Sequence, residues 1–224
     1  MLAIVYDLEM TVKRKKGEMA EIIEIGAVKV ALEEDKPVIV DTFQAFVKPT
    51  KIVLTADTIS FTGITQADVN EADCLQDVID RFIGWIGTAD YALCSWGPDD
   101  KAQFARECRT KRIALDWLRN HNNVQQPVSL AMGRPKNQQI GLKSALEVLN
   151  IEFVGSHHRA IDDAYNTALI YIHMFEHIHL ERNHINDHPA YETKVVYRGA
   201  NEDEEDNVSP FAALANWTPQ NDHK

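Results

Sequence analysis

Basic residues are in short supply. Lys and Arg number 23 against 34 Asp and Glu in 224 residues, a formal net charge of -11. That balance argues against a generic nucleic-acid coat protein or a membrane-surface protein, both of which are usually basic. Cysteine is scarce as well: Cys74, Cys94 and Cys108 form no C-x-x-C pair. Three thiols without such spacing do not make a disulfide frame or a zinc site, and they read as reduced thiols in a cytoplasmic protein. No apolar run approaches the ~18 residues of a membrane span. The Leu2-Ala3-Ile4-Val5-Tyr6 run is broken by Asp7 and has no basic residue ahead of it, so it does not read as a signal peptide. What is left is ordinary globular composition, 45% hydrophobic and 25% charged, enough for one domain with its own core.

The charge is unevenly placed. Residues 185–224 carry eight acids against three bases, and the run Asn201-Glu202-Asp203-Glu204-Glu205-Asp206-Asn207 cannot build a core. A folded domain is therefore expected over 1–184, followed by an acidic, flexible tail over 185–224. Within the tail, Ser209-Pro210 is a helix-start signal, and Phe211, Leu214 and Ala215 share a face. A short docking helix over 209–217 would suit a homodimer or another protein partner.

The front of the domain reads as three β-strands, Leu2 to Leu8, Ile22 to Val30 and Val38 to Val47, in an antiparallel meander. A basic turn, Lys13-Arg14-Lys15-Lys16-Gly17, lies between the first two. The period then changes. Leu75, Val78, Ile79, Phe82, Ile83 and Ile86 make an amphipathic helix stopped by Gly87. A short strand over Asp90 to Ser95 follows, then a helix opened by Gly97-Pro98. Two more helical stripes run through Leu142, Ala145, Leu146 and Leu149, and through Ile161, Ala164, Tyr165, Ala168, Leu169 and Ile172. Strands first, then strand and helices in alternation, predict an α/β fold with a mixed sheet and helices on its faces.

Three groups carry chemistry. Asp7 and Glu9 end the first strand, where residues i and i+2 point to one face. Two acids so placed repel unless a cation lies between them, and a divalent metal is the natural resolution. In Trp96-Gly97-Pro98-Asp99-Asp100, one aspartate is explained by the dipole at a helix start, leaving open which of the two faces a site. His158 lies at the start of the last helix, where Ser156 or His157 is the expected N-cap. Asp163 follows just over one turn later and borders the apolar face.

Taken in order, Asp7-Leu8-Glu9-Met10-Thr11, Trp96-Gly97-Pro98-Asp99-Asp100 and His158-Arg159-Ala160-Ile161-Asp162-Asp163 resemble the motifs of the DEDDh 3′–5′ exonucleases, the DnaQ-like branch of the ribonuclease H-like fold. The resemblance covers about residues 1–180, and the chain looks most similar to the Eri-type and KapD-type enzymes. Ile23-Glu24-Ile25-Gly26-Ala27 looks like the family's second strand, and Thr62-Gly63-Ile64-Thr65 like the turn after its third. The family's spacing selects Asp100 over Asp99 and Asp163 over Asp162. Pro98 stands where Eri-type relatives carry a polar residue.

The resemblance implies a sheet whose first three strands are antiparallel and later strands parallel, and a metal-dependent hydrolase. Asp7, Glu9, Asp100 and Asp163 would hold two Mg²⁺ or Mn²⁺ ions about 4 Å apart. His158 would act as general base. Each cycle would release a nucleoside 5′-monophosphate from the 3′ end of single-stranded RNA or DNA. The backbone around Met10 and the Thr11 hydroxyl would contact the terminal nucleotide. Lys13 and Arg14 are expected to touch phosphates upstream. A non-catalytic, KapD-like regulatory module on the same fold is the alternative, and the complete acidic set argues against it. On this resemblance, part of the net acidity is the signature of a metal site.

Overall fold

The computed structural model describes residues 1–12, 19–33, 36–50 and 53–185. The described residues belong to the first of two units into which the chain divides, Met1–Tyr191. Lys13, Arg14 and the 209–217 segment lie outside them.

A five-stranded sheet in the order β3-β2-β1-β4-β5 organises the domain. Its strands are β1 (Leu2–Met10), β2 (Ile22–Glu33), β3 (Lys36–Phe46), β4 (Tyr91–Ser95) and β5 (His121–Asn123). The β1–β2 and β2–β3 pairs are antiparallel, whereas β4 pairs in parallel with β1 and β5. This is the mixed sheet expected from the motifs.

Period-two alternation in β1 divides the core. Ile4, Tyr6 and Leu8 pack with Phe82 of α3 (Leu75–Ile86) and Phe104 of α4 (Asp99–Lys111). Ala3 and Val5 point the other way, into a cluster with Val128 of α5 (Gln125–Ala131), Leu146 of α6 (Leu142–Val148) and Ala164 and Ala168 of α7 (Ala160–His173). Asp7 and Glu9 continue the second series, so they emerge on the α7 side of the sheet.

The structure adds elements that the periodicity did not show. Two short helices, α1 (Ala56–Thr62) and α2 (Gln66–Asn70), follow β3. The Thr62-Gly63-Ile64-Thr65 segment is therefore a helix-to-helix turn. Gly63 closes α1 in the left-handed conformation, and Thr65 opens α2 with a capping box to Asp68. The N-cap of α7 is Arg159, not Ser156 or His157. Gly155 and His158 both have positive φ, so the chain is still turning there and becomes helical only after the extended Arg159. Among the described residues, no helix is long and apolar enough to cross a membrane.

Candidate functional site

Asp7 and Glu9 sit at the carboxyl end of β1, paired across to Gly26 and Glu24 of β2. The second motif resolves on α4. Pro98 occupies the N-cap position in a helical conformation, and the helix proper begins at Asp99. Asp99 is exposed and Asp100 is buried. Asp100 heads a stripe with Gln103, Phe104, Glu107 and Cys108, all buried against the sheet. The third motif brings Asp163 in from the first turn of α7. Its carboxylate accepts the His158 N–H at 3.0 Å, while the Asp162 carboxylate accepts Ser156 N–H at 2.8 Å. The two acids thus separate: Asp162 braces the 155–156 turn, and Asp163 holds His158 beside the cluster.

Ligand atoms of Glu9, His158 and Asp163 lie within 4.8 Å of one another, a group able to hold a metal ion. Asp7 and Asp100 join the same electrostatic neighbourhood. Burial and then the Asp100, Asp163, Glu9 and Glu24 charges raise Asp7 well above the usual carboxylate range. Glu9 is pushed up to about 8 by burial, with Asp163, Glu24 and Asp100 adding and Arg159 opposing. Asp100 rises to about 7 through burial and Asp99, although the Leu8 N–H pulls it back. Burial raises Asp163 too, against its bond from His158. Four acids that resist ionising beside one another are a donor set suited to a hard divalent cation, whose charge would reverse each of these shifts.

His158 adopts φ +62°. Its ring packs on Phe61 of α1, with centroids 4.0 Å apart and planes 34° apart. Helix α1 is itself tied to the end of β1: Val12 N–H donates to Thr58 Oγ1 at 3.0 Å. Met10 is half-buried. Thr11 is 4% exposed. Its hydroxyl accepts Glu21 N–H at 3.0 Å, and its N–H donates to the Glu21 carbonyl. Among the described residues, no acceptor takes the hydroxyl hydrogen. Lys13 and Arg14 follow, outside the described residues. His173, at the end of α7, and His177, in the 3-10 turn Phe175–His177 that follows, do not enter a metal-ligating group among the described residues.

Sequence reasoning missed Glu24, Arg159 and Phe61 as parts of this region. Glu24 carried a signal. It sits between Ile23 and Ile25 in β2, and all three have 0% exposure; a wholly buried acid needs a partner. Arg159 is that partner, at 3.1 Å.

Comparison with known proteins is consistent with this geometry. The Exonuclease family (RNase_T) matches residues 4–171. ERI1 exoribonuclease 2 of Danio rerio is 33% identical over 192 residues, covering 75% of this chain and 34% of that protein. The Homo sapiens 3'-5' exoribonuclease 1 is 31% identical over 169 residues, covering 70% of this chain and 46% of that protein. The chain thus spans less than half the length of either relative. Among solved structures, the nuclease domain of 3'hExo, a DEDDh family member bound to rAMP, is similar with a TM-score of 0.72 at 28% identity, covering 81% of this chain and 96% of that one.

Proposed function

The chain belongs to the Exonuclease (RNase_T) family, and from that premise we propose that it is a metal-dependent 3′–5′ exonuclease acting on single-stranded RNA or DNA. The observation that carries this reading is the convergence of Asp7, Glu9, Asp100 and Asp163 with His158 at one end of β1. Two Mg²⁺ or Mn²⁺ ions fit this oxygen-rich set; when bound they supply charge stabilisation and a lowered pKa for the attacking water.

The protein's own residues do the rest. His158 takes the proton of the attacking water on an imidazole nitrogen, from a position fixed by Phe61 and by its backbone bond to Asp163. The backbone at Met10 and the Thr11 hydroxyl orient the terminal nucleotide. Lys13 and Arg14 engage phosphates upstream of the scissile bond. We place the catalytic unit at 1–184, with the 185–224 tail available to a second copy or a protein partner. A cytoplasmic location agrees with the unpaired thiols.

The test is a cleavage assay on 5′-labelled single-stranded RNA and DNA with Mg²⁺ or Mn²⁺, beside Asp7→Ala and His158→Ala. A ladder shortening from the 3′ end, absent in both variants, is expected. Failure to cleave either polymer would instead favour a regulatory binding module. The RNA-to-DNA ratio reads out the preference. Lys13→Ala and Arg14→Ala should lower the salt dependence of binding.

A further inference from the structure

Glu24 is wholly buried in β2, directly across from Glu9. A carboxylate there needs full compensation. Its Oε2 accepts from Arg159 Nε at 3.2 Å and from Ala160 N at 3.1 Å. Its Oε1 accepts from Arg159 Nη2 at 3.1 Å and from Gln44 Nε2 at 2.6 Å. The guanidinium also lies over the Phe46 ring, 5.4 Å from its centroid. A strand residue therefore caps α7, whose own N-cap residue provides no side-chain cap. Gly26, two residues on, leaves α7 room to dock. A Cβ there would lie 2.1 Å from Ala160 C and Ile161 N, so the helix end rests directly on the β2 backbone.

The residue before this anchor is His158, in a left-handed conformation that persists only where its surroundings over-determine it. Asp162 and Asp163 hold the 155–158 turn to its own helix. Glu24 ties the base of the turn to the strand opposite Asp7 and Glu9. We infer that the Glu24–Arg159 fork is a positioning pair, which sets His158 in register with the acids of β1 by fixing the α7 N-terminus on β2. The inference rests on the reading of His158 as general base. Arg159 also sits near enough to favour ionised Glu9, so a rival role as a mere counter-charge must be separated from it.

The substitution Arg159→Lys separates them, because lysine keeps the charge and loses the two-pronged geometry. The Arg159 side chain is 30% exposed, so the fold should survive the change. In the full chain, Arg159→Lys, Arg159→Gln and Glu24→Gln are compared with the parent by NMR of the His158 ring, assigned through His158→Asn. Phe61 at 4.0 Å imposes a ring-current shift on those protons. All three variants should lose half or more of that shift. They should also lose about 10–100-fold in kcat, with KM for a short oligonucleotide within about threefold. An unmoved His158 signal in the three variants would overturn the inference. So would Arg159→Lys retaining the parent's shift and kcat, which would leave charge as the cause. Should the parent itself not cleave, the reading of His158 as base fails, and the NMR comparison still decides whether the fork positions the ring.

Discussion

Replacing Glu9 with glutamine should stabilise the metal-free protein, and increasingly so as the pH rises. Glu9 is 6% exposed, and its pKa is raised from 4.5 to about 8, chiefly by burial and then by Asp163 and Glu24. Between those two values the folded protein retains a proton that the unfolded chain has released. Folding then takes up a proton, so stability falls as pH rises through this window. Well inside it, each pH unit costs about 1.4 kcal/mol. From pH 6 to pH 8 the deficit of the parent relative to Glu9→Gln should grow by about 2 kcal/mol. For a domain of this size that is roughly 4–8 °C in Tm. Part of the gain arrives through Asp7, whose raised pKa has the Glu9 charge among its causes.

Urea denaturation in a chelating buffer at pH 6, 7 and 8 measures this directly, with m-values checking that the unfolded state is unchanged. Adding Mg²⁺ or Mn²⁺ supplies the second arm. A cation held by these carboxylates stabilises the parent by mass action. It also displaces their protons, so apparent metal affinity should rise with pH. The variant should gain less, closing or reversing the gap. A difference between parent and Glu9→Gln that stays flat from pH 6 to 8 in chelator would refute the electrostatic account of the cluster.

Other outcomes follow from single positions. His121 is buried with Nε2 3.0 Å from Ser95 Oγ, and burial depresses it from 6.5 to about 3. The unfolded chain therefore takes up a proton as pH falls through 6.5 while the folded chain does not. His121→Gln should remove about 1.5–2 kcal/mol of the stability lost between pH 6.5 and 5, as read by urea titration. Gly26→Ala places a methyl group 2.1 Å from the α7 backbone and should destabilise by about 3 kcal/mol or more. Its control is Gly84→Ala on the exposed face of α3, where a Cβ meets nothing within 4 Å; calorimetry should show a gain of about 0.5–1 kcal/mol. Asp100→Asn should lower kcat by roughly 100-fold or more, whereas the exposed Asp99→Asn should keep activity within a few-fold. In the metal-free protein Asp99→Asn should also lower the Asp100 pKa, as read by NMR titration in chelator, because Asp99 is the second cause of its rise.

Legibility in the sequence tracked the length and purity of each pattern. Strand β1 is an apolar run ending in a charge, and the i, i+2 geometry of a strand then puts Asp7 and Glu9 on one face, while α3 shows three turns of uninterrupted stripe. Helices α1 and α2 have seven and five residues, too short for a 3.6-residue period to emerge. Strand β5 is His-Asn-Asn, with no β-branched residue to mark it. The buried stripe of α4 runs Asp100, Gln103, Phe104, Glu107, Cys108. Its spacing is helical, but three of the five positions are polar, so a search for apolar periodicity passes over it. The choice between Asp99 and Asp100 therefore came from resemblance to relatives and is visible physically only in the packed helix. Phe61 was illegible for another reason. It is 54% exposed, and its contact with His158 joins positions almost a hundred residues apart.

The way the fold treats its acids distinguishes the site from the rest of the interior. Glu107 and Glu21 are buried and both face Lys111, at 3.1 and 3.5 Å. Glu24 is buried and receives the Arg159 fork. Glu9 and Asp100 are as deeply buried, yet among the described residues no lysine or arginine forms an ion pair with them, with Asp7 or with Asp163. One polypeptide thus matches its structural carboxylates with its own cations and sets four others against one another. Leaving buried charges unmatched destabilises a fold, and proteins sustain such local frustration at sites where a ligand relieves it. Adding lysine or arginine beside β1 would stabilise the chelated protein by removing the repulsion, and would occupy the space and charge that a divalent cation needs. The short supply of basic residues is therefore sharpest where it matters most: the excess of acid is matched everywhere in the described core except at the end of β1.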